Sequence, residues 1–127
     1  TDGDSIVWFE QPDIMHTGDL FFNGLFPFID LNSGGSVKGY IESVKQVLAK
    51  INDDTVLIPG HGELSNKAEY TTFLAMIEET FAFVKAQKAK DMSLEAITEA
   101  GLDSKWDKWA WSFISEEKWI ATLYEEA

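Results

Sequence analysis

The sequence contains no cysteine, only two histidines, and ten basic against twenty-two acidic residues. Without cysteine there are no disulfides, thiolate nucleophiles or Cys-ligated zinc, so any metal must be held by histidine and carboxylate. This absence fits reducing and oxidising compartments equally, and both cytoplasm and periplasm stay open. The net charge of −12 would repel phosphate backbones and anionic membrane surfaces. We therefore expect no nucleic-acid partner and no membrane partner.

Long apolar runs are also missing, since none reaches the roughly 20 residues of a membrane span and the start has no signal-peptide pattern. With 127 residues, 45% of them apolar, the chain has enough material to bury the core of one soluble domain. Its beginning is unusual for a natural amino-terminus, because Thr1 is not an initiator Met and TDGDSIVWF opens on a turn and a strand. We expect that further sequence precedes it.

Apolar patterning predicts three short strands and four helices in the order ββαβααα. Continuous β-forming runs indicate strands at 5–9, covered on both faces, at 14–16 and at 55–58, and a long apolar loop is expected over 19–34. Helical spacing of apolar residues follows the potential N-caps Ser36, Asn66, Ser93 and Ser115. Alternation of strands with helices predicts an α/β fold in which helices pack on a small sheet.

Two segments combine a metal-competent side chain with glycine at the end of a predicted strand: Thr17-Gly18-Asp19 and Pro59-Gly60-His61-Gly62. Ligands cluster at strand ends in layered α/β folds, and glycine lets the backbone approach an ion closely. Each motif also has a plain structural reading. Asp19 could be a turn residue that bonds its own backbone, and His61 could simply occupy a tight turn.

The sequence HTGDLFFNGLFPFIDLNSGG, followed about forty residues after its aspartate by VLIPGHG, resembles the metallo-β-lactamase-fold zinc hydrolases. The opening TDGDSIVWF and the closing FISEEKWIATLYEE are also similar to segments of that family. The resemblance implies that residues 1–127 form the carboxy-terminal half of a metallo-β-lactamase-like domain, a partial αββα sandwich. It also implies two zinc ions, with Asp19 as the bridging carboxylate and His61 as a ligand of the second ion.

Most of the family's ligands are absent from this chain. The H-x-H-x-D-H cluster does not occur, and the third histidine ligand would lie immediately before Thr1. A tetrahedral zinc site needs three or four protein ligands, so we expect this chain alone to bind zinc weakly or not at all and to be inactive. We assign no catalytic residue to it.

Three further residues are candidates for a supporting role near the metals. His16 and Asp19 lie three apart on an extended segment and would point to opposite faces, which favours a packed or second-shell imidazole over a third ligand. Phe22 and Asn23 either belong to a hydrophobic cluster that pins the loop or form a wall beside the metals.

The intact enzyme implied by the resemblance would use metal-bound hydroxide to cleave a lactam, thioester, lactone or similar ester. The apolar loop over 19–34 disfavours phosphodiester substrates.

The alternative function is a non-catalytic oligomerisation or binding module, or a gene remnant. In either case a sheet without its natural cover would recruit other chains, so we expect a homo-oligomer. The missing amino-terminal half is the other expected partner.

Overall fold

The computed structural model describes residues 6–9 and 13–127. In this part of the chain, three strands and four α-helices follow one another in the predicted order ββαβααα, with two 3₁₀ helices between them. The strands are β1 (Val7–Phe9), β2 (Ile14–Phe22) and β3 (Val56–His61); the α-helices are α1 (Val37–Lys50), α2 (Lys67–Ala89), α3 (Leu94–Ala100) and α4 (Glu116–Glu126); the 3₁₀ helices are Leu31–Ser33 and Ser104–Trp109.

The four helices begin at the residues that the sequence predicts. The side chains of Ser36, Asn66, Ser93 and Ser115 each accept a hydrogen bond from the backbone amide three residues on, as N-caps do. The capping box at α2 forms only in part, because the Glu69 carboxylate accepts a bond from the Ser65 hydroxyl. None of the helices in residues 6–9 and 13–127 has the length and apolar character of a membrane span.

The sheet has the order β1-β2-β3, with β1 antiparallel to β2 and β3 parallel to β2. Two predictions about strand length are wrong. β2 does not end at Thr17-Gly18 but continues to Phe22, so the expected loop over 19–34 is shorter. Pro59-Gly60-His61 does not form a tight turn but extends β3, because β3 lies at the edge of the sheet, where proline is tolerated.

The core lies between one face of the sheet and the helices. Both α1 and α2 pack against β2, and their apolar stripes are buried with Met15 and Leu57 from the strands. α4 packs on α2 through Trp119, whose side chain is fully buried and whose Nε1 donates to the Thr80 hydroxyl at 3.1 Å. The helix stripes are therefore core, as their spacing predicts.

The other face of the sheet carries exposed apolar side chains. Val7 and Phe9 lie on this face of β1. The strand register places beside them His16 and Ile14 of β2, and next to those Ile58 and Val56 of β3. Val7 is 47% exposed and Phe9 55% exposed. The prediction that the first strand is covered on both faces is therefore wrong for the described residues 6–9: β1 packs beside β2 at the edge of the sheet, and Trp8, on the side of the helices, is also 39% exposed. Ser5 lies outside the described residues.

Asp13 connects the ends of the three strands. Its carboxylate accepts hydrogen bonds from the Trp8 indole at 3.1 Å and from the Thr55 hydroxyl at 2.8 Å, and its carbonyl accepts one from the Val56 amide at 2.9 Å. The bonds from Trp8 and then Thr55 favour the ionised carboxylate and hold the pKa of Asp13 below its ordinary value.

We expect the Asp13→Asn variant to be less stable than the unmodified chain at neutral pH and to lose that deficit in acid. A carboxylate whose pKa is lower in the folded state than in the unfolded state stabilises the folded protein at pH values above the unfolded-state pKa. This stabilisation is lost as the pH falls through the folded-state pKa. Urea unfolding at pH 7 and near pH 3 measures the difference between the two proteins. Asp107→Asn, which removes the same charge from an exposed position, is the control; an equal deficit for Asp13→Asn at both pH values would contradict the prediction.

The sheet face that carries Val7 and Phe9, opposite α1 and α2, is called the open face. We also predict that the chain associates with a second copy through the open face. Exposed apolar patches at a sheet edge promote association, and covering Val7 and Phe9 would remove them from water. Light scattering over a dilution series should show a dimer that the double variant Val7→Thr, Phe9→Ser weakens. Phe113→Ser, at an equally exposed position away from β1, should leave association unchanged. A folded monomer at every concentration above micromolar would refute the prediction.

Candidate metal centre

Asp19 and His61 lie next to each other, although 42 residues separate them in the sequence. The Nε2 atom of His61 is 3.5 Å from Oδ1 of Asp19, and the side chains are 45% and 54% exposed, respectively. Parallel pairing explains the proximity, because β2 and β3 run in the same direction and bring Phe22 opposite His61. The two motifs that the sequence singles out therefore lie together at the ends of neighbouring strands; the role of Asp19 and His61 as ligands stays a prediction.

An irregular pairing between β2 and β3 directs the Asp19 side chain toward His61. The register shifts between His16 and Gly18 and again between Gly18 and Phe22, and Gly18 has a φ of +57°, which suits glycine. Because the backbone of this stretch leaves the regular ladder, its carbonyls need other partners. The hydroxyl of Tyr40 donates to the carbonyl of Asp19 at 2.6 Å, and the hydroxyl of Tyr70 donates to that of Leu20 at 2.9 Å.

These two tyrosines are fully buried and fix the backbone that directly follows the Asp19 side chain. Burial raises the pKa of the Tyr70 hydroxyl, which keeps it a hydrogen-bond donor at all ordinary pH values. Both residues lie in the buried stripes of α1 and α2, but the sequence pattern does not predict this anchoring role. A tyrosine within an apolar stripe is the available signal, because a buried hydroxyl requires a partner.

The two glycines beside His61 are required by close contacts. A Cβ on Gly60 would lie 2.5 Å from the carbonyl oxygen of Gly18 and 2.7 Å from Oδ1 of Asp19. Gly62 has a φ of +99°, and a Cβ there would lie 2.8 Å from the carbonyl oxygen of Asn23. The Pro-Gly-His-Gly segment can therefore reach β2 only because both positions lack side chains.

Phe22 and Asn23 both border His61. The Phe22 ring stacks on the imidazole with a centroid distance of 4.7 Å and an interplanar angle of 6°. Asn23 donates from its backbone amide to the carbonyl of His61 at 2.9 Å and from its side chain to that of Glu63 at 3.1 Å. The structure thus places both residues beside the candidate centre, with Asn23 holding the backbone.

His16 differs from the prediction of a packed imidazole. Its side chain is exposed on the open face of the sheet, and its Nδ1 accepts a hydrogen bond from the Gly18 amide at 3.1 Å. The ring is outside the core because its strand partners, Val7 and Ile58, lie on the face that no helix covers. His16 therefore supports the backbone next to Asp19 and makes no bond to the carboxylate of Asp19.

The two donors suit two positions of a zinc ion. Ligand atoms about 2.1 Å from a tetrahedral ion stand roughly 3.4 Å apart, and the combination of imidazole nitrogen and carboxylate oxygen is one that zinc accepts. The observed separation is 3.5 Å. However, residues 6–9 and 13–127 contain no group of three or more metal-competent side chains. A complete ion site requires further donors.

No protein-family model matches this sequence, and no curated protein is significantly similar to it. Among solved structures, the stereoselective inverting sec-alkylsulfatase Pisa1 from Pseudomonas sp. superposes with a TM-score of 0.57 at 19% identity, over 88% of this chain and 20% of that enzyme. The chain adopts part of a metallo-β-lactamase-like fold. It spans about a fifth of the length of that alkylsulfatase, and the likeness concerns the fold alone.

We expect Gly60→Ala to distort this metallo-β-lactamase-like fold at the contact between β3 and Asp19. The added methyl group meets backbone atoms that cannot rotate away, and overpacking of this kind costs about 1–3 kcal/mol. Urea unfolding measures the loss, and nuclear Overhauser effects between the rings of Phe22 and His61 report the local geometry. Gly24→Ala is the comparison for backbone strain without a clash, because Gly24 has a φ of +73° and a Cβ there meets nothing within 4 Å; it should cost stability but leave the contact between the Phe22 and His61 rings intact. If Gly60→Ala kept both stability and ring contacts, the packing argument would be wrong.

Proposed function

We propose that this chain contributes Asp19 and His61 to the metal centre of a hydrolase with the metallo-β-lactamase fold. The observation that carries the proposal is the 3.5 Å separation of these two donors at the end of parallel strands. The resemblance of HTGD and PGHG to the family's ligand motifs falls on the same two residues. Sequence motif and geometry therefore agree on one pair of side chains.

The remaining ligands would come from another polypeptide segment, since the described residues offer two donors at this site. The amino-terminal half implied by the family resemblance is the favoured source, either in one longer protein or as a separate chain. Both donors are about half exposed, so a second segment has room to reach the same ion. With zinc as the favoured metal, the family pattern implies two ions bridged by Asp19.

Zinc, when bound in such a centre, supplies hydroxide at neutral pH and polarises the bond to be cleaved. In this chain the carboxylate of Asp19 would orient the attacking group and accept or relay the released proton. His61 would be held as a ligand by the stacked Phe22 ring, which also excludes water from one face of the imidazole. The substrate class we favour is a lactam, thioester, lactone or related ester.

A binding or oligomerisation module without catalysis is the second candidate. The exposed segment 6–9 favours it, since Ile6, Val7, Trp8 and Phe9, which alternate between the two faces of the sheet, are each between 39% and 55% exposed. The two functions make different demands on Asp19 and His61. A binding module would not need these residues, whereas a hydrolase would.

Titration with zinc, monitored by NMR of the histidine side chains in the full chain, tests the hydrolase proposal. Two ligands give only weak binding, and we expect a dissociation constant of roughly 0.1 to 1 mM. The ring resonances of His61 should shift in a saturable way, and Asp19→Asn should weaken that response at least several-fold. The zinc-free chain should show no esterase or lactamase activity of its own.

His16→Asn is the matched control, because it removes the other histidine of the chain, leaves both proposed donors in place, and offers a side-chain oxygen that can still accept the hydrogen bond from the Gly18 amide. Zinc should shift His61 in this variant as it does in the unmodified chain. A His61 signal that does not respond to millimolar zinc, or a response that Asp19→Asn leaves intact, would refute the proposed metal centre.

A further inference from the structure

Three aromatic side chains continue from His61 across the surface, and we call Trp111, Phe113 and Phe28 the aromatic strip. The ring of Trp111 lies 5.5 Å from the His61 ring, Phe113 lies 5.6 Å from Trp111, and Phe28 lies 5.7 Å from Phe113, measured between centroids. The chain segment after the second 3₁₀ helix is thus placed against the segment that follows β2.

The two rings of the strip that lie farther from His61 are exposed. Phe113 is 52% exposed and Phe28 is 38% exposed, while Trp111 is partly buried. Rings of this size are usually covered in a folded protein, so a connected exposed group of them indicates a binding surface. One end of the strip contacts His61, a proposed metal ligand, so a molecule bound there would lie next to the proposed metal centre.

Hydrogen bonds fix the inner end of the strip. The indole Nε1 of Trp111 donates to the carbonyl of Phe26 at 2.9 Å, and the Trp111 amide donates to the carbonyl of Ile114 at 3.0 Å. Phe26 is itself buried and stacks on Trp119 in the core. The Trp111 side chain is therefore already held in one conformation, so little conformational entropy would be lost at this residue when a ligand binds.

A cation lies beside the middle ring of the strip. Nζ of Lys118 lies 4.8 Å from the centroid of the Phe113 ring and donates to the Phe113 carbonyl at 3.4 Å. The two rings nearest His61, those of Trp111 and Phe113, follow one another at centroid distances of 5.5 and 5.6 Å, a span that suits a phenylalkyl group. Three rings are too few for a stable protein interface, which buries about 800 Å² on each partner.

We propose that the aromatic strip binds the apolar portion of the substrate, so that the hydrolase of which this chain is part prefers esters or lactones with a phenylalkyl substituent. This inference rests on the proposed function, because Asp19 and His61 define the end at which the bond is cleaved. The strip would hold the substituent against Trp111 and Phe113 while the ester carbonyl lies at the two donors.

NMR of the ¹⁵N-labelled full chain tests the proposal with phenethyl acetate as the probe and ethyl acetate as its ring-free counterpart. Phenethyl acetate should shift the indole Nε1–H signal of Trp111, assigned with Trp111→Phe, in a saturable way, and ethyl acetate should not. Loss of one aromatic contact weakens binding by about three- to tenfold, so Phe113→Ala and Phe28→Ala should each reduce the affinity by that factor.

Phe9→Ala is the matched control, since Phe9 is 55% exposed on the open face of the sheet and lies outside the strip. It should leave the affinity for phenethyl acetate unchanged. The inference is overturned if the indole of Trp111 does not respond, or if Phe9→Ala weakens binding as much as Phe113→Ala does. Phe113 and Phe28 are exposed, and an unchanged pattern of amide signals would confirm that the variants remain folded.

Asp19→Asn separates this inference from the proposed function. The variant removes a metal donor and keeps the three rings, so the shift of the Trp111 indole signal by phenethyl acetate should persist while the His61 response to zinc is weakened. Zinc binding without probe binding would overturn the strip alone. Probe binding together with no zinc response in the unmodified chain would overturn the link between the strip and hydrolysis.

Discussion

The break in the pairing of β2 with β3, between Gly18 and Phe22, is the constraint on which the candidate centre depends. A regular parallel ladder would satisfy the carbonyls of this stretch and would direct its side chains alternately to the two faces. The shifted register gives up that regularity, and buried hydroxyls from α1 and α2 bond the carbonyls of Asp19 and Leu20 instead. The helices therefore do more than cover the sheet, because they hold the one stretch of strand that carries the carboxylate.

Much of this architecture could be predicted from local patterns in the sequence. Helix N-caps, apolar stripes and the α/β order depend on residues close together in the chain, and Ser36, Ser93 and Ser115 show how reliably a capping side chain marks a helix start. Strand ends were less predictable. Gly18 and Pro59 look like terminators, yet both lie within strands, since a register shift and an edge position accommodate them.

Only part of the candidate site could be predicted from the sequence. Asp19 and His61 carry motif signals, whereas Trp111 carries none, because its position beside His61 depends on how the segment after α3 folds back onto the residues that follow β2. Such a contact joins residues far apart in sequence, and no periodicity encodes it. The environment of His16 was mispredicted for a related reason: strand alternation assigns a side chain to one face or the other, but the location of the helices decides which face is buried.

The two hydrogen bonds of Asn23 have a thermodynamic consequence for the centre. By bonding the carbonyls of His61 and Glu63 at once, Asn23 makes the end of β3 and the residues after β2 a single rigid unit. The conformational entropy of ordering the His61 backbone is therefore lost during folding and not when an ion or substrate arrives. A donor pair prepared in this way can be weak in total affinity and still be specific, because its geometry is set before any ligand is present.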